Sequence, residues 1–450
     1  MNTQRPLGYF QEILASVVSS GRRLTQRMLD QQSALETLPF PALVEAVLAA
    51  RGESLALLQA ETLLRRYENA DDAEKSAFFL LLAEDYGIDA DSLVDAASRY
   101  RESRNTTDFQ SLNKAMNSRR QDLFRRLNAV PGGTVRLVAM RQDLLGLLGT
   151  MPELAPLDFE LKQLFTSWFN RGFLVMRPID WSTPATILEK IIAYEAVHAI
   201  DDWEELRRRL EPEDRRCFAF FHPAMQDEPL IFVEVALTEH WPDSIQDLLT
   251  NEREILPPHK ARNAVFYSIS NCQRGLAGIS FGSFLIKQVA SDLQQEWPNL
   301  RDFLTLSPVP GLMKWCRQQA EENTDETLKF LQKDFQNLHE SNSNENIISI
   351  LDYHREKLGQ LAARYLAEEE AGNGLPADPV ARFHLGNGAQ LERINLQADL
   401  SANGLRQSAG VMVNYHYDLP KVEERHEAFW EQGKRAVAPA VSRLAQSGRR

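Results

Sequence analysis

The sequence predicts an α+β protein, with an all-α helical bundle over residues 1–165 followed by a mixed α/β domain over residues 166–450. Three observations carry that reading. The early segments repeat apolar clusters at three- and four-residue spacing, as in LETLPFPALVEAVLAA and SAFFLLLAEDYG, the period of a helix with one buried stripe. Short aromatic and β-branched runs bounded by turns follow at Cys217–His222, Leu230–Thr238 and Ala264–Ser270, a pattern that suits strands better than helices. Residues 264–306 then read as strand, Gly-rich loop, helix and strand, the order produced when a helix crosses between parallel strands.

Composition narrows the function classes. A chain of 450 residues with 43% hydrophobic and 25% charged residues can bury a substantial core, and its length suits two or three domains. Its net charge of -13 argues against a general polyanion binder, so no nucleic-acid partner is expected. Cys217, Cys272 and Cys316 have neither the number nor the spacing of a disulfide framework or a four-thiolate zinc site, which points to a reducing compartment. The N-terminal segment has no signal-peptide core, and the apolar stretches fall short of a span. Secretion and a membrane partner are therefore not expected.

Taken in order, the helical part continues from Ser118 through SRRQDLFRRLNAV, turns at Gly132 and Gly133, and resumes in TVRLVAMRQDLLGLLG. No fixed-period repeat calls for a solenoid, and the region holds no nucleophile or ligand cluster. The texture changes around Leu161–Asn170. An extended apolar run, RGFLVMRPIDW, leads to a helix beginning near Thr183 and Pro184, with Thr183 as N-cap and proline in the first turn. In the helix after the Gly-rich loop, Ile286, Val289, Leu293 and Trp297 share one face, and Phe303–Leu306 supplies the next buried strand. HESNSNEN (339–346) and AEEEAGNGLPADP (367–379) read as surface loops. ARFHLGNGAQLERINLQADLS and AGVMVNYHYDL hold two more strands, and the tail AVAPAVSRLAQSGRR need not be ordered.

Several side chains could carry chemistry. Gln273, Arg274, Gly275, Leu276, Ala277 and Gly278, with Gly282 ahead of the helix, combine backbone N–H groups, a guanidinium and a helix N-terminus, elements that suit a pyrophosphate. The loop lacks the Lys-Ser/Thr ending of an ATP-binding P-loop and is not GxGxxG. A phosphate loop and a plain tight connection both remain open. Ser307, at a strand end stiffened by Pro308, is either an aimed hydroxyl or a turn cap. Ser268 and Ser270 should face one side of their strand and could equally satisfy backbone groups. His384, set in RFHLGNG as if in a turn between glycines, is either a proton carrier or a core histidine. No HExxH, compact His/Cys/Asp cluster or GxSxG appears, so neither a metal nor a hydrolase elbow is indicated.

Together, FYSISNCQRGLAGISFGSFLIKQVA, LSPVPG and FHLGNGAQLERINLQADLS, with EAVHAIDDWEELRRRL upstream, resemble the malonyl-CoA decarboxylase family over most of the chain. The resemblance implies a helical N-terminal domain and a C-terminal domain of the acetyltransferase-like (GNAT-type) fold. In that fold the loop after the fourth strand holds the CoA pyrophosphate, and the thioester lies where the fourth and fifth strands diverge. It implies Ser307 and His384 as the catalytic pair, Ser268 as a polar active-site residue, and Gln273 through Gly278 as the pyrophosphate loop. Cys272 and the longer ISFG approach depart from the most regular acetyltransferase loop. The implied reaction takes malonyl-CoA to acetyl-CoA and carbon dioxide, with no cofactor because CoA belongs to substrate and product.

In that scheme the thioester accepts the electrons of the departing carboxylate as an enolate. Ser307 orients the substrate, and a protonated His384 delivers a proton to the α-carbon. The resemblance also implies a homo-oligomer, a tetramer. The GRR ending, which lacks the peroxisomal SKL signal, leads to an expectation of cytoplasmic residence. Two other readings stay open. An acyl-CoA-dependent acyltransferase would need a second channel for its acceptor, and a noncatalytic acyl-CoA sensor would need neither Ser307 nor His384.

Overall fold

The computed structural model describes residues 35, 37–279, 282–322, 344–372 and 374–447. The chain divides into two compact units. Among the described residues, the first comprises those up to Phe173 with two short later segments, 222–226 and 273–279, and the second comprises the others.

The first unit is built of helices with local reasons to start where they do. Asp71 and Glu74 form a reciprocal capping box ahead of Asp72–Asp85, and the Asn105 and Ser118 side chains cap Thr106–Ala115 and Arg119–Asn128. Gly132 adopts φ 72° before the helix Gly133–Leu147. A Cβ at Gly133 would collide with the Leu127 carbonyl, so the PGG turn brings two helices together as well as reversing the chain. Leu43, Leu63, Phe78, Phe79, Leu123, Phe124, Leu137, Leu161 and Phe165 form buried helix faces. Arg120 and Glu160 pair at 2.7 Å inside this core. Arg120 also donates to the carbonyls of Leu82 and Ala83, the extra satisfaction a buried charge requires.

The second unit is organised by one eight-stranded sheet. Its strands are β1 (Val175–Ile179), β2 (Arg215–Phe221), β3 (Pro229–Thr238), β4 (Asn263–Asn271), β5 (Asp302–Thr305), β6 (Ser307–Pro308), β7 (Gln390–Asn395) and β8 (Met412–His416). The order is β1-β2-β3-β4-β5-β8-β6, with β7 also on β8. β1 to β4 are antiparallel, whereas β4 and β5 are parallel and joined through the helix Gly282–Glu296. Ile286, Val289 and Leu293 of that helix are buried as their spacing predicts, while Trp297 lies past its end under the Arg216 guanidinium.

One sheet face is covered by helices. Cys217, Ala219, Phe221 and Phe232 pack with Ile187, Leu188, Ile191 and Leu206, while Ala236, Val265, Tyr267, Leu304 and Leu306 pack with Ile245 and Leu248. A bulge interrupts β3–β4 pairing: Val235 opposes Phe266, but Glu234 opposes Ser268. Tyr267 is the additional residue, and it reverses which face the rest of β4 presents.

The structure corrects four local expectations. His384 lies on a helix, Pro379–Gly386, because Asp378 caps it and Pro379 occupies its first turn. Thr183 does not cap Ala185–Tyr194; Pro184 occupies that position and the Thr183 hydroxyl accepts from Asp180 N–H. The tail forms Pro439–Ser447 and buries Val441 and Ala445. Of HESNSNEN, residues 344–346 open the helix Asn344–Tyr353, and 339–343 lie outside the described residues. Of AEEEAGNGLPADP, residues 368–372 and 374–378 lie between the helices Arg355–Ala367 and Pro379–Gly386.

Candidate active site

β4 and β5 stop pairing at Phe266 and Thr305, and the last bond of that seam runs from Leu306 N–H to Phe266 C=O. The chain then leaves β5 to pair as β6 with β8, Ser307 opposite Val413. Leu306 is buried on the helix-covered face, so strand alternation turns Thr305 and Ser307 toward the other. His384 meets Ser307 there, with Nε2 3.1 Å from Oγ. Its ring stacks on Tyr415 with centroids 4.6 Å apart, and Nδ1 lies 2.8 Å from the Tyr417 hydroxyl. Tyr415 and Tyr417 reach the same imidazole because they are two residues apart in extended chain.

These contacts have a consistent direction. Burial pushes the Tyr417 phenol well above its ordinary range, so it keeps its proton and can donate to His384 Nδ1. That leaves Nε2–H facing Ser307, whose hydroxyl donates to Thr305 Oγ1 at 2.8 Å. Thr305 Oγ1 also accepts from Tyr415 N–H. Complete burial lowers the His384 pKa to about 3. The protonated imidazole expected from the sequence is therefore corrected to a neutral one in the free protein.

Asp378 caps the histidine helix beside the Ser307 segment. Its Oδ1 accepts from Val380 and Ala381 N–H, both at 2.9 Å. Burial raises its pKa to about 6, opposed by backbone N–H groups of Ala381, Gly311 and Val380 and by the Tyr365 hydroxyl. Gly311 belongs to LSPVPG, and a Cβ there would collide with Tyr365 Oη. This glycine therefore permits the close approach.

Ser268 has different contacts. After the bulge it faces the helix-covered side and donates to Glu195 Oε1 and Oε2 at 2.9 and 2.7 Å. Ser270 donates to the same carboxylate at 3.2 Å, and Glu195 Oε1 also accepts from Val197 and His198 N–H. The structure thus brings Ser307 and His384 together and gives Ser268 to Glu195.

Gln273 to Gly278 belong to the first unit, with Arg274–Leu276 forming a short 3-10 turn. Buried Arg141 donates to the carbonyls of Gly275 and Ala277 at 2.7 and 3.0 Å, while Asp158 holds its Nε at 2.7 Å. A Cβ on Gly275 would strike the Val138 carbonyl, and Gly278 has φ 77°. Both glycines therefore have structural reasons to be there. Arg274 is exposed, and Lys162 Nζ lies 2.9 Å from where a Gly278 Cβ would be. This gives the loop exposed positive charge and little room for side chains.

Thr305, Tyr417, Asp378, Glu195, Arg141 and Lys162 were not among the residues singled out from sequence. The two tyrosines of NYHYDL carried a signal in their spacing; the others become visible only through tertiary contacts. Among the described residues, no group of three or more His, Cys, Asp or Glu could hold a metal, and no helix is long and apolar enough to cross a membrane.

Comparisons with known proteins were consistent across sequence and fold. The profile of the malonyl-CoA decarboxylase C-terminal domain matches residues 172–450, and that of the malonyl-CoA decarboxylase N-terminal domain matches residues 86–169. "Malonyl-CoA decarboxylase, mitochondrial" from Anser anser anser is 33% identical over 406 residues, covering 81% of this chain and 79% of the relative. The Mus musculus protein of the same name is 37% identical over 333 residues, covering 68% and 67%. A crystal structure of malonyl-CoA decarboxylase from Rhodopseudomonas palustris superposes with a TM-score of 0.84 at 49% identity, covering 90% of this chain and 98% of that one. The Cupriavidus metallidurans enzyme gives 0.68 at 34% identity, covering 92% and 99%. A helical N-terminal part followed by a mixed α/β domain is thus a known combination.

The cytoplasmic expectation is overturned by the goose, rat and mouse relatives, all named as mitochondrial proteins. The GRR ending had addressed only a peroxisomal signal, whereas mitochondrial import is governed by a different kind of segment.

Proposed function

The chain belongs to the malonyl-CoA decarboxylase family, and on that premise we propose that it converts malonyl-CoA to acetyl-CoA and carbon dioxide with Ser307 and His384 as its catalytic pair. The observation that carries the residue assignment is the 3.1 Å approach of Ser307 Oγ to His384 Nε2, in a hydrogen-bonded chain beginning at Tyr417. When the bond between the carboxylate carbon and the α-carbon breaks, carbon dioxide leaves and the electron pair enters the thioester enolate. No cofactor is required because the thioester is the electron sink.

A proton must then reach the α-carbon. A neutral imidazole is an adequate donor to so basic a carbon, and neutral histidines elsewhere act as electrophiles in dry sites. His384 gives its Nε2 proton while the Tyr417 hydroxyl, donating to Nδ1, steadies the ring, and a solvent proton restores Nε2–H before the next turnover. Ser307 orients the reacting group: its hydroxyl, which donates to Thr305 in the free protein, turns to donate a hydrogen bond to developing negative charge. Ser268 takes a supporting role through Glu195. Arg274 and the N–H groups of Gly275 to Gly278 bind the CoA pyrophosphate, with the catalytic domain spanning residues 166–450. Assembly as a homotetramer rests on family resemblance, and sedimentation velocity tests it.

The deciding experiment incubates purified protein with malonyl-CoA in D2O and follows products by mass spectrometry. Acetyl-CoA carrying one added deuterium, matched by carbon dioxide, is expected. Binding without turnover would favour a sensor, and activity dependent on an added amine would favour an acyltransferase. His384→Asn and Ser307→Ala should each retain binding of a nonreacting malonyl-CoA analogue and slow turnover by roughly 10²-fold or more. Near-normal turnover by either folded variant would remove that residue from the pair.

A further inference from the structure

The second unit holds an arginine-lined cavity of about 160 Å³, with Arg208, Arg209, Arg215 and Arg253 on its walls and Glu205 among them. It lies near the start of β2 and the end of β3, where Arg215 opposes Ala236. Asn271, at the far end of β4, instead opposes Ile231 near the start of β3. The cavity therefore lies at the end of the sheet opposite to the one where β4 ends.

Its cations are incompletely matched. Arg209 is 2% exposed; its Nη1 donates to His198 C=O and Glu234, and its Nη2 to Ala199 C=O and Glu205. Its buried Nε has no partner among the described residues. Arg215 is 3% exposed and donates to the carbonyls of Asp214 and Leu248, with Asp214 Oδ1 3.3 Å away. Asp214 is shared with Arg253, while Glu205 is occupied by Arg209 and by Asp201 N–H. Arg208 makes no hydrogen bond or ion pair among the described residues. Burial also lowers the Arg215 pKa despite neighbouring carboxylates, whereas Arg209, despite its burial, is held above its ordinary value by Glu234 and Glu205.

We propose that this cavity binds a phosphoryl dianion, as inorganic phosphate or a phosphomonoester, independently of the CoA substrate. Several arginines lining one cavity suit a tetrahedral group with several acceptor oxygens better than a single planar carboxylate, which one arginine fork can satisfy. Their concentration also stands against the chain's net charge of -13, making the cavity a local exception rather than part of a basic surface.

The test is calorimetric titration of the full chain with inorganic phosphate at fixed ionic strength, alone and with a saturating nonreacting malonyl-CoA analogue. Saturable binding unaffected by the analogue is expected. Arg208→Ala should weaken it roughly tenfold or more, the scale of a lost charge-assisted pair. Arg253→Ala, in a separate segment lining the cavity, should also weaken it. Arg207→Ala removes the same charge from an exposed pair with Glu211 outside the cavity and should leave phosphate affinity unchanged. Absence of saturable binding, equal weakening by Arg207→Ala and Arg208→Ala, or displacement of phosphate by the CoA analogue would overturn the proposal. Titration with glucose 6-phosphate distinguishes a site open to phosphomonoesters from one restricted to free phosphate.

Discussion

His384 Nδ1 lies 2.8 Å from the hydroxyl of Tyr417, a residue 33 positions away in sequence. With the hydroxyl donating to Nδ1, the Nε2 proton faces Ser307, and in the proposed mechanism Tyr417 is a positioning residue. Tyr417→Phe preserves the ring's bulk but removes the hydroxyl. It should lower kcat roughly tenfold with little change in KM, because orientation of the imidazole is lost while substrate contacts remain. Steady-state kinetics checks this, and wild-type kcat in the folded variant would show that Ser307 alone orients the histidine.

Burial moves two nearby groups in opposite directions, lowering His384 to about 3 and raising Asp378 to about 6. His384 should therefore contribute no titration to kcat/KM between about pH 5.5 and 8, because this ratio reports the free enzyme. An acid limb near pH 6 would belong to Asp378 and should vanish in Asp378→Asn; a limb near 6.5 surviving there would contradict a neutral His384. Stability provides another measurement. The folded protein retains the Asp378 proton to higher pH than the unfolded chain, so this stabilisation is full below about pH 4 and lost as pH rises through about 6. The loss amounts to at most roughly 3 kcal/mol. Asparagine can still cap the helix, so thermal melts of Asp378→Asn should lack that pH-dependent loss.

Much of the architecture was readable because burial imposes a period. β2, β3, β4, β7 and β8 formed where short apolar runs were bounded by turns, and Ile286, Val289 and Leu293 marked a buried helix face. The His384 helix was harder to recognise. Gly386 and Gly388 suggested a turn, while its start signal, Asp378 followed by Pro379, lay several residues upstream. Ser268 and Ser307 could be selected from their motifs, but one additional residue at Tyr267 reversed the face on which Ser268 lies. A bulge depends on cross-strand register, so the local period-two pattern could not place that side chain.

Glu195 offers a direct test of what Ser268 does. Ser268→Ala leaves a carboxylate still bound by Ser270, Val197 N–H and His198 N–H. Glu195→Gln removes the charge that gathers the group. If Ser268 acts through this cluster, Glu195→Gln should reduce kcat at least as much as Ser268→Ala, by roughly tenfold, and both should retain affinity for a nonreacting analogue. A severe defect in Ser268→Ala beside a normal Glu195→Gln would instead assign the serine hydroxyl a direct role. Double-mutant kinetics then checks whether the two losses are shared, since residues in one hydrogen-bonded group have nonadditive effects.

The loop after β4 allows its structural and binding roles to be separated. Gly275 has no room for a Cβ beside the Val138 carbonyl, and Arg141 is fastened to Gly275 and Ala277. Gly275→Ala should therefore lower the melting temperature, with a destabilisation of about 1–3 kcal/mol from forced backbone movement. Exposed Arg274 carries no comparable packing load. Arg274→Ala should leave thermal stability nearly unchanged while weakening CoA-thioester affinity roughly tenfold, as expected for loss of a charge-assisted contact to pyrophosphate. Calorimetry with CoA and with pantetheine separates this contact from thioester recognition, because pantetheine lacks the pyrophosphate. The Arg274→Ala defect should appear with CoA and disappear with pantetheine. Equal losses for both ligands would locate the effect away from pyrophosphate, while unchanged CoA affinity would leave Gln273–Gly278 as a connection shaped by packing on the helices.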